Sequence, residues 1–399
     1  MNNINPFWYL LILFAILIGW LSVEAIFHRH YLNKIRYRIH VNGTRGKSSV
    51  SRLIAAGLRA GGFRTCAKTT GTLASFIFPD GKEEPIFRVG HTNVIEQVSI
   101  IRRAAKLNVD AIVIECMAVQ PLLQSLCELK LVRSTHGVLT NARPDHLDVM
   151  GPTSQDVALA LAGTMPVKGQ FFTTAQQYVT TFEMAAKDRK TVMHHIDQYH
   201  IESVSDGDLA GFAYTEYKDN VALALAVCAS LGVDRQIALH GMWNSLPDPG
   251  ALTVYSIHHQ NHIITLVNGL AANDPVSTET IWHKMLERFK DYDDKILIMN
   301  CRVDRKQRSE QIATAMLDWE KPHRCIAIGN YVQAFLGILK KKRYNKKVEV
   351  INGESWTVEQ ILNKVMQNSS EKRHLLVGVG NIAGIGFKLV NYFREHHQC

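Results

Sequence analysis

The chain has 399 residues and seven cysteines, no two of them close together: Cys66, Cys116, Cys127, Cys228, Cys301, Cys325 and Cys399 contain no C-x-x-C pair. An odd, scattered set argues against a disulfide framework and against a zinc ribbon, and fits a reducing compartment. There is no internal repeat and no low-complexity tract. Charged residues amount to 20% and hydrophobic ones to 46%, which excludes global disorder. Acidic residues are the scarcer sign, 36 against 45 Lys and Arg, for a net charge of +9. Such a surplus suits nucleic acid, anionic lipid or an acidic small molecule, and charge alone does not choose. No nucleic-acid recognition motif accompanies it, so no nucleic-acid partner is expected. The densest basic run, Lys340 to Lys347, reads as a solvated loop or helix end.

Positive charge is also missing ahead of the one long apolar run, "FWYLLILFAILIGWLSVEAIF" from Phe7 to Phe27. A cleaved signal peptide would want Lys or Arg before such a run and small residues at a cleavage site. Here Arg29, Lys34, Arg36 and Arg38 follow it instead. The run is long enough for a ~30 Å hydrocarbon core, and Phe7, Trp8 and Tyr9 stand where an aromatic belt would. Residues 1–30 therefore read as an uncleaved single-pass anchor, with everything after it in the cytoplasm.

From Lys34 the apolar residues alternate (Ile35, Tyr37, Ile39, Val41), the period of a strand. "GTRGKSS", Gly43 to Ser49, comes next. Then Val50, Leu53, Ile54 and Leu58 recur at helical spacing until Gly61-Gly62. Strand, glycine-rich turn and helix open an α/β sheet. "DAIVIE" (Asp110 to Glu115), "HGVLTN" (His136 to Asn141) and "GQFFTTA" read as further strands, and Val221 to Leu231 as a helix. "NSLPDPGA", Asn244 to Ala251, breaks the pattern. Residues 34–245 and 250–399 are thus expected as two α/β domains, the second with about five strands ("HIITLVNG", "KILIMNC", "RCIAIGN", "KVEVING", "HLLVGVGN"). "GVGNIAGIG" spaces its glycines as G-x-G-x-x-x-G with too little chain after it for a dinucleotide-binding unit, and reads as a strand-to-helix turn.

A phosphate cradle needs backbone N–H groups aimed at oxygens, glycines that let the backbone approach, and a helix N-terminus behind them. Gly43, Gly46 and the helix from Lys47 supply these, with Lys47 placed for the β/γ-phosphates and the Ser48 hydroxyl for Mg²⁺. The general P-loop has a glycine where this chain has Val41, so the loop is a shorter one. A plain strand-to-helix turn is the bland alternative. Glu115 ends an apolar strand, where such sheets carry ligand groups or merely a solvated charge. In "TNARPDHLD", Thr140 to Asp148, His146 between two aspartates offers ligands for Mg²⁺; surface loops often read the same way.

"GTRGKS", a strand-terminal Glu and "TN…DHLD" in this order resemble the central domain of the Mur ligase superfamily of ATP-dependent amide-bond formers. "AKTTGT", "ECMAVQP", "NARPDHLDVMGPT", "NCRVDRKQRS" and "VGVGNIAGIG", behind a membrane anchor, resemble more narrowly the CapB/PgsB family, the ligase subunits of bacterial poly-γ-glutamate synthases. The resemblance implies a P-loop ATPase domain followed by a Rossmann-like domain. It implies a reaction in which ATP phosphorylates a glutamate γ-carboxylate and a second glutamate's amine attacks the acyl phosphate, releasing ADP and phosphate. Gly43, Thr44, Arg45, Gly46, Lys47, Ser48, Ser49 and Asn220 would bind ATP. Ser48, Glu115 and His146 would hold one or two Mg²⁺. Thr70, Thr72 and Arg308 would meet substrate, and Lys47, Glu115, His146 and Arg305 would serve catalysis; the two arginines also read as surface pairs. Implied partners are glutamate, the polymer, the bacterial cytoplasmic membrane and small integral membrane proteins of the synthase. The pattern departs in places. No lysine stands near Ala160 and Leu161, where many members carry a carbamoylated one, and Lys168 matches a different lysine. Asn268 and Ala272 replace an aspartate and a histidine. The alternatives are a folylpolyglutamate-synthase-like ligase, a P-loop kinase or NTPase, and a membrane-tethered nucleotide-binding regulator.

Overall fold

A computed structural model describes residues 6–71, 74–86, 93–248, 252–272, 275–352, 355–367 and 372–397. The apolar run forms helix α1 (Pro6–Lys34), about 43 Å long at 1.5 Å per residue. Every side chain from Phe7 to Phe27 is exposed. His28, Leu32 and Ile35 are buried instead. The helix runs past residue 30 because Leu32, and Ile35 just beyond it, have a core to enter.

The chain divides between Leu246 and Pro247 into two units. The first holds an eight-stranded sheet of β1 (Tyr37–Asn42), β2 (Thr65–Thr69), β3 (Ser75–Ile77), β4 (Glu83–Pro85), β5 (Ala111–Glu115), β6 (His136–Leu139), β7 (Gln170–Thr173) and β8 (Val192–His195), in the order β4-β3-β2-β5-β1-β6-β7-β8. Pairing is parallel from β2 through β8 and antiparallel at the β3 and β4 edge. On one face, helix α2 (Lys47–Ala60) packs Val50, Leu53, Ile54 and Leu58 against Ile39, Val41 and the helix Lys218–Ser230. Burying those four side chains contributes roughly 6–12 kcal/mol as an upper figure. On the other face, helix α3 (Glu96–Lys106) brings Ile100, Ile101 and Ala104 to Leu32, Ile35 and Ile112. Helix α4 (Pro121–Leu126) continues without a break into a π-helical segment, Cys127–Val132. Since β1 lies between β5 and β6, the carboxyl ends of these three strands form the switch point at which such sheets bind ligands.

The second unit's sheet has six strands, β9 (Val254–His259), β10 (His262–Asn268), β11 (Asp294–Cys301), β12 (Arg324–Gly329), β13 (Val348–Asn352) and β14 (Arg373–Val379), ordered β13-β12-β11-β14-β10-β9. The five parallel strands are the apolar runs of the sequence. The sixth, β9, is an antiparallel partner of β10. Its sequence, "VYSIHH", is polar and half-buried, so the apolar pattern did not mark it. The turn between them places Gln260 and Asn261 at φ +47° and +65°, the handedness that tight hairpins need.

Candidate active site

The loop after β1 turns at Gly43 (φ +131°) and Gly46 (φ +83°) and enters α2 at Lys47. At Gly46 a Cβ would sit 2.7 Å from Asn220 Oδ1, so glycine is needed for space as well as for backbone. No side chain caps the N-terminus of α2, which leaves first-turn amides for an anion. The Lys47 ammonium folds back over the loop, donating to the Gly43 carbonyl at 2.6 Å.

The end of β6 fixes the loop's shape. Asn141 Oδ1 accepts from Thr44 Oγ1 at 2.9 Å and from the Arg45 amide at 3.1 Å, while Asn141 Nδ2 donates to the Arg45 carbonyl at 3.1 Å. Thr140 Oγ1 donates to that same carbonyl at 2.6 Å. Behind the loop, Asn220 Nδ2 donates to Glu216 Oε1 at 2.8 Å. Burial pushes the Glu216 carboxyl above the usual range, against the lowering effect of that hydrogen bond.

Glu115 is buried at the end of β5. Its Oε2 accepts from Ser48 Oγ at 2.9 Å and from the Thr70 amide at 2.6 Å. Thr70 therefore meets the site through its backbone, and Thr72 lies outside the described residues. Gly43, Lys47, Glu115, Asp145 and His146 line one cleft of about 240 Å³. His146 has φ +47°, a half-exposed ring and an Nε2 3.9 Å from Asp145 Oδ1. A neighbouring pocket of about 440 Å³ is lined by Asn141, Arg143, Thr174, Gln198, Tyr217 and Lys218, room for a small ligand's base and sugar. Arg45 and Ser49 are half-buried beside the loop.

Among the described residues no three His, Cys, Asp or Glu side chains gather into a metal cage. The Ser48 hydroxyl and the Glu115 carboxylate are two adjacent hard oxygens. That donor set fits a Mg²⁺-like ion, which takes one or two carboxylates and completes its octahedron with water and phosphate. At the place of the family's carbamoylated lysine, Ala160 and Leu161 are buried and apolar, and Lys168 is exposed.

Comparison with known proteins gives these features relatives. Residues 41–206 match the Mur ligase middle domain, and residues 254–396 match the poly-gamma-glutamate synthase CapB C-terminal domain. The capsule biosynthesis protein CapB of Bacillus anthracis is 37% identical over 371 residues, 92% of this chain and 78% of that protein. The PGA synthase CapB of Bacillus subtilis strain 168 is 34% identical over 393 residues, 98% of either chain. The chain belongs to the CapB family. Its fold is that of E. coli FolC, solved with ADP (TM-score 0.68, 15% identity, 95% and 96% of the two chains). It is also that of the Yersinia pestis folylpolyglutamate synthase/dihydrofolate synthase solved with AMPPNP and Mn (TM-score 0.64, 13% identity, 92% and 90%). Membership of the CapB family, built on a Mur ligase fold, makes the chain an ATP-dependent amide-bond-forming ligase.

In the second unit of this CapB-family chain, Arg308 Nη1 donates to the Gly380 carbonyl at 3.2 Å and to Asn381 Oδ1 at 3.0 Å, holding the turn after β14. Arg305 is exposed, with Asp304 at 4.0 Å. Asn268 is buried at the end of β10.

Three features escaped the sequence reading. Lys68, in β2, is fully buried, and its ammonium pairs with Glu96 at 3.0 Å and lies 3.4 Å from Met117 Sδ, at the edge of the cleft. Its strand, TCAKT, has no apolar run that would have marked the lysine as buried. The Thr44–Asn141 clamp joins positions 97 apart in sequence. Beneath the cleft, His40 Nδ1 lies 2.8 Å from Glu128 Oε2, both buried.

Proposed function

We propose that the chain activates the γ-carboxylate of glutamate as an acyl phosphate and joins it to the amine of another glutamate, building poly-γ-glutamate. An identity of 34% to a PGA synthase over nearly the whole chain supports the substrate; Lys47 and Glu115 in one cleft, with Ser48 hydrogen-bonded to Glu115, support the chemistry. A carboxylate does not condense with an amine in water, because its oxygen is a poor leaving group. A carboxylate oxygen attacks the γ-phosphorus of ATP and ADP leaves. The amine then attacks the acyl carbonyl, phosphate departs with the bonding pair, and the amine loses its proton.

Lys47 and the loop amides neutralise charge on the transferring phosphoryl group. Ser48 and Glu115 would hold Mg²⁺ and His146 would serve a second ion; the metal would supply charge neutralisation to the phosphoryl transfer. Gly43 to Ser49 cradle the phosphates, and Asn220 backs the loop at Gly46 for the nucleotide. Thr70 contributes its amide by orienting Glu115. Arg305, exposed and able to form a bidentate pair, suits a substrate carboxylate, whereas Arg308 acts through the turn it holds. The working form is a single-pass protein of the bacterial cytoplasmic membrane with its catalytic part in the cytoplasm, alongside small integral membrane proteins.

The test supplies solubilised protein with ATP, Mg²⁺, L- or D-glutamate and hydroxylamine. Hydroxamate that requires glutamate and disappears in Lys47→Ala is the expected result. Phosphate release indifferent to glutamate, with no hydroxamate, overturns the reading.

A further inference from the structure

The base of α1 is part of the first unit's core. Phe27 ends the fully exposed stretch, and the next residue, His28, is buried with its Nε2 2.8 Å from the Leu131 carbonyl. Arg38 joins the same two elements. Its Nη1 donates to the Leu32 and Ile35 carbonyls at 3.1 and 2.7 Å, and its Nε donates to the Arg133 carbonyl at 2.9 Å. Leu32, Ile35, Cys127 and Val132 share one apolar cluster. The end of the helix and the end of the π-helical segment thus move as one piece.

That junction fixes where the π-helical segment lies relative to the apolar span. Leu131 is one hydrogen bond from the residue after Phe27. Leu126 is five residues earlier, about 8 Å away at helical rise. The headgroup layer beyond a ~30 Å hydrocarbon core is about 5–8 Å deep. Outward from this segment point Leu126 and Leu129, 39% and 38% exposed, together with exposed Lys130 and Arg133. Across the junction Arg29, Lys34 and Arg36 are exposed as well. Exposed leucines beside Lys and Arg at headgroup depth are the composition of a segment seated on an anionic bilayer surface.

We propose that residues 126–133 are seated in the headgroup layer, with Leu126 and Leu129 inserted and Lys130 and Arg133 on anionic lipid. The first unit then rests against the bilayer. The proposal rests on reading α1 as a membrane span. It also places the cleft near the lipid, because Val119 lines the cleft and Pro121 begins the helix that leads to this segment.

The test uses the full chain in vesicles of phosphatidylcholine and phosphatidylglycerol, with lipids carrying a doxyl quencher. A fluorophore is attached to single cysteines, Leu17→Cys, Leu129→Cys or Leu159→Cys. The six described native cysteines are buried, and Cys399→Ser removes the seventh. Leu159, 55% exposed on the helix Ser154–Ala162, is the comparison site. The expected result is quenching at position 129 at least about fivefold that at 159, as depth in the headgroup layer requires. It should weaken when Lys130→Glu and Arg133→Glu are added. Quenching at 17 with 129 no different from 159 overturns the seating and leaves the span intact. No quenching at 17 overturns both. Position 129 unquenched by lipid yet shielded from aqueous iodide in native membranes would mean a membrane protein covers this face, which also overturns lipid seating.

Discussion

Glu115 does two things with one oxygen, accepting from the Ser48 hydroxyl and from the Thr70 amide. In Glu115→Gln the charge is lost and an NH₂ competes with two donors. Turnover should fall by roughly 10²–10³, the equivalent of the several kcal/mol a metal-bound charge supplies. Nucleotide should still bind through the loop, as titration with a fluorescent ATP analogue would check. Two buried histidines set a pH dependence of stability. Burial, with His194 beside it, lowers His136 to about 4. Burial opposes charge on His40 as well, but hydrogen bonds with Cys116 and Glu128 outweigh it and raise the group to about 9. Both titrate near 6.5 when unfolded. The contribution of neutral His136 is present above pH 6.5 and lost as pH falls towards 4, since the unfolded chain takes up the proton first. The contribution of protonated His40 is complete below pH 6.5 and lost as pH rises towards 9. On their account Tm should be highest near pH 6.5. Melts between pH 4 and 9 should show His136→Gln flattening the acid limb and Glu128→Gln the alkaline limb. Lys47, Ser48 and Glu115 were legible because their types and strand-end positions carry meaning by themselves. The roles of Asn141, Lys68 and Glu216 were not, because each matters through a partner that only folding brings near.

At the scale of elements, the loop between β1 and α2 is the part most sensitive to a single methyl group. Gly46→Ala meets both a left-handed φ and Asn220 at 2.7 Å. It should cost about 1–3 kcal/mol in stability and most of the nucleotide affinity. Gly62→Ala, at φ +87° with open space around the new carbon, should show only the backbone strain of about 1–2 kcal/mol and leave binding unchanged. Thermal melts and calorimetric titration of both variants separate the two effects. Period and glycine placement revealed β1, α2, β5, β6, β7 and the five parallel strands of the second sheet. They did not reveal β2, β3, β4, β8 and β9, which are short or polar strands, β4, β8 and β9 at sheet edges. Such strands owe their pairing to a neighbour's free edge more than to their own apolar pattern.

Over the whole molecule, the sequence predicts an anchor and two α/β units, and the structure adds how the base of the apolar helix is held. Removing residues 1–27 deletes, among the described side chains, only the exposed ones of Phe7 to Phe27. The product should leave the membrane fraction without detergent and melt at the same temperature. Removing residues 1–35 takes Leu32 and Ile35 from the core and should cost about 4–10 kcal/mol; melts of the two truncations check it. The clamp made by Arg38 has a further consequence. With α1 as the proposed span, a body fixed to that helix would spin about the bilayer normal but would not tumble. It meets any other membrane protein with flanks at constant height, so that encounter becomes a search in two dimensions with one angle left to find.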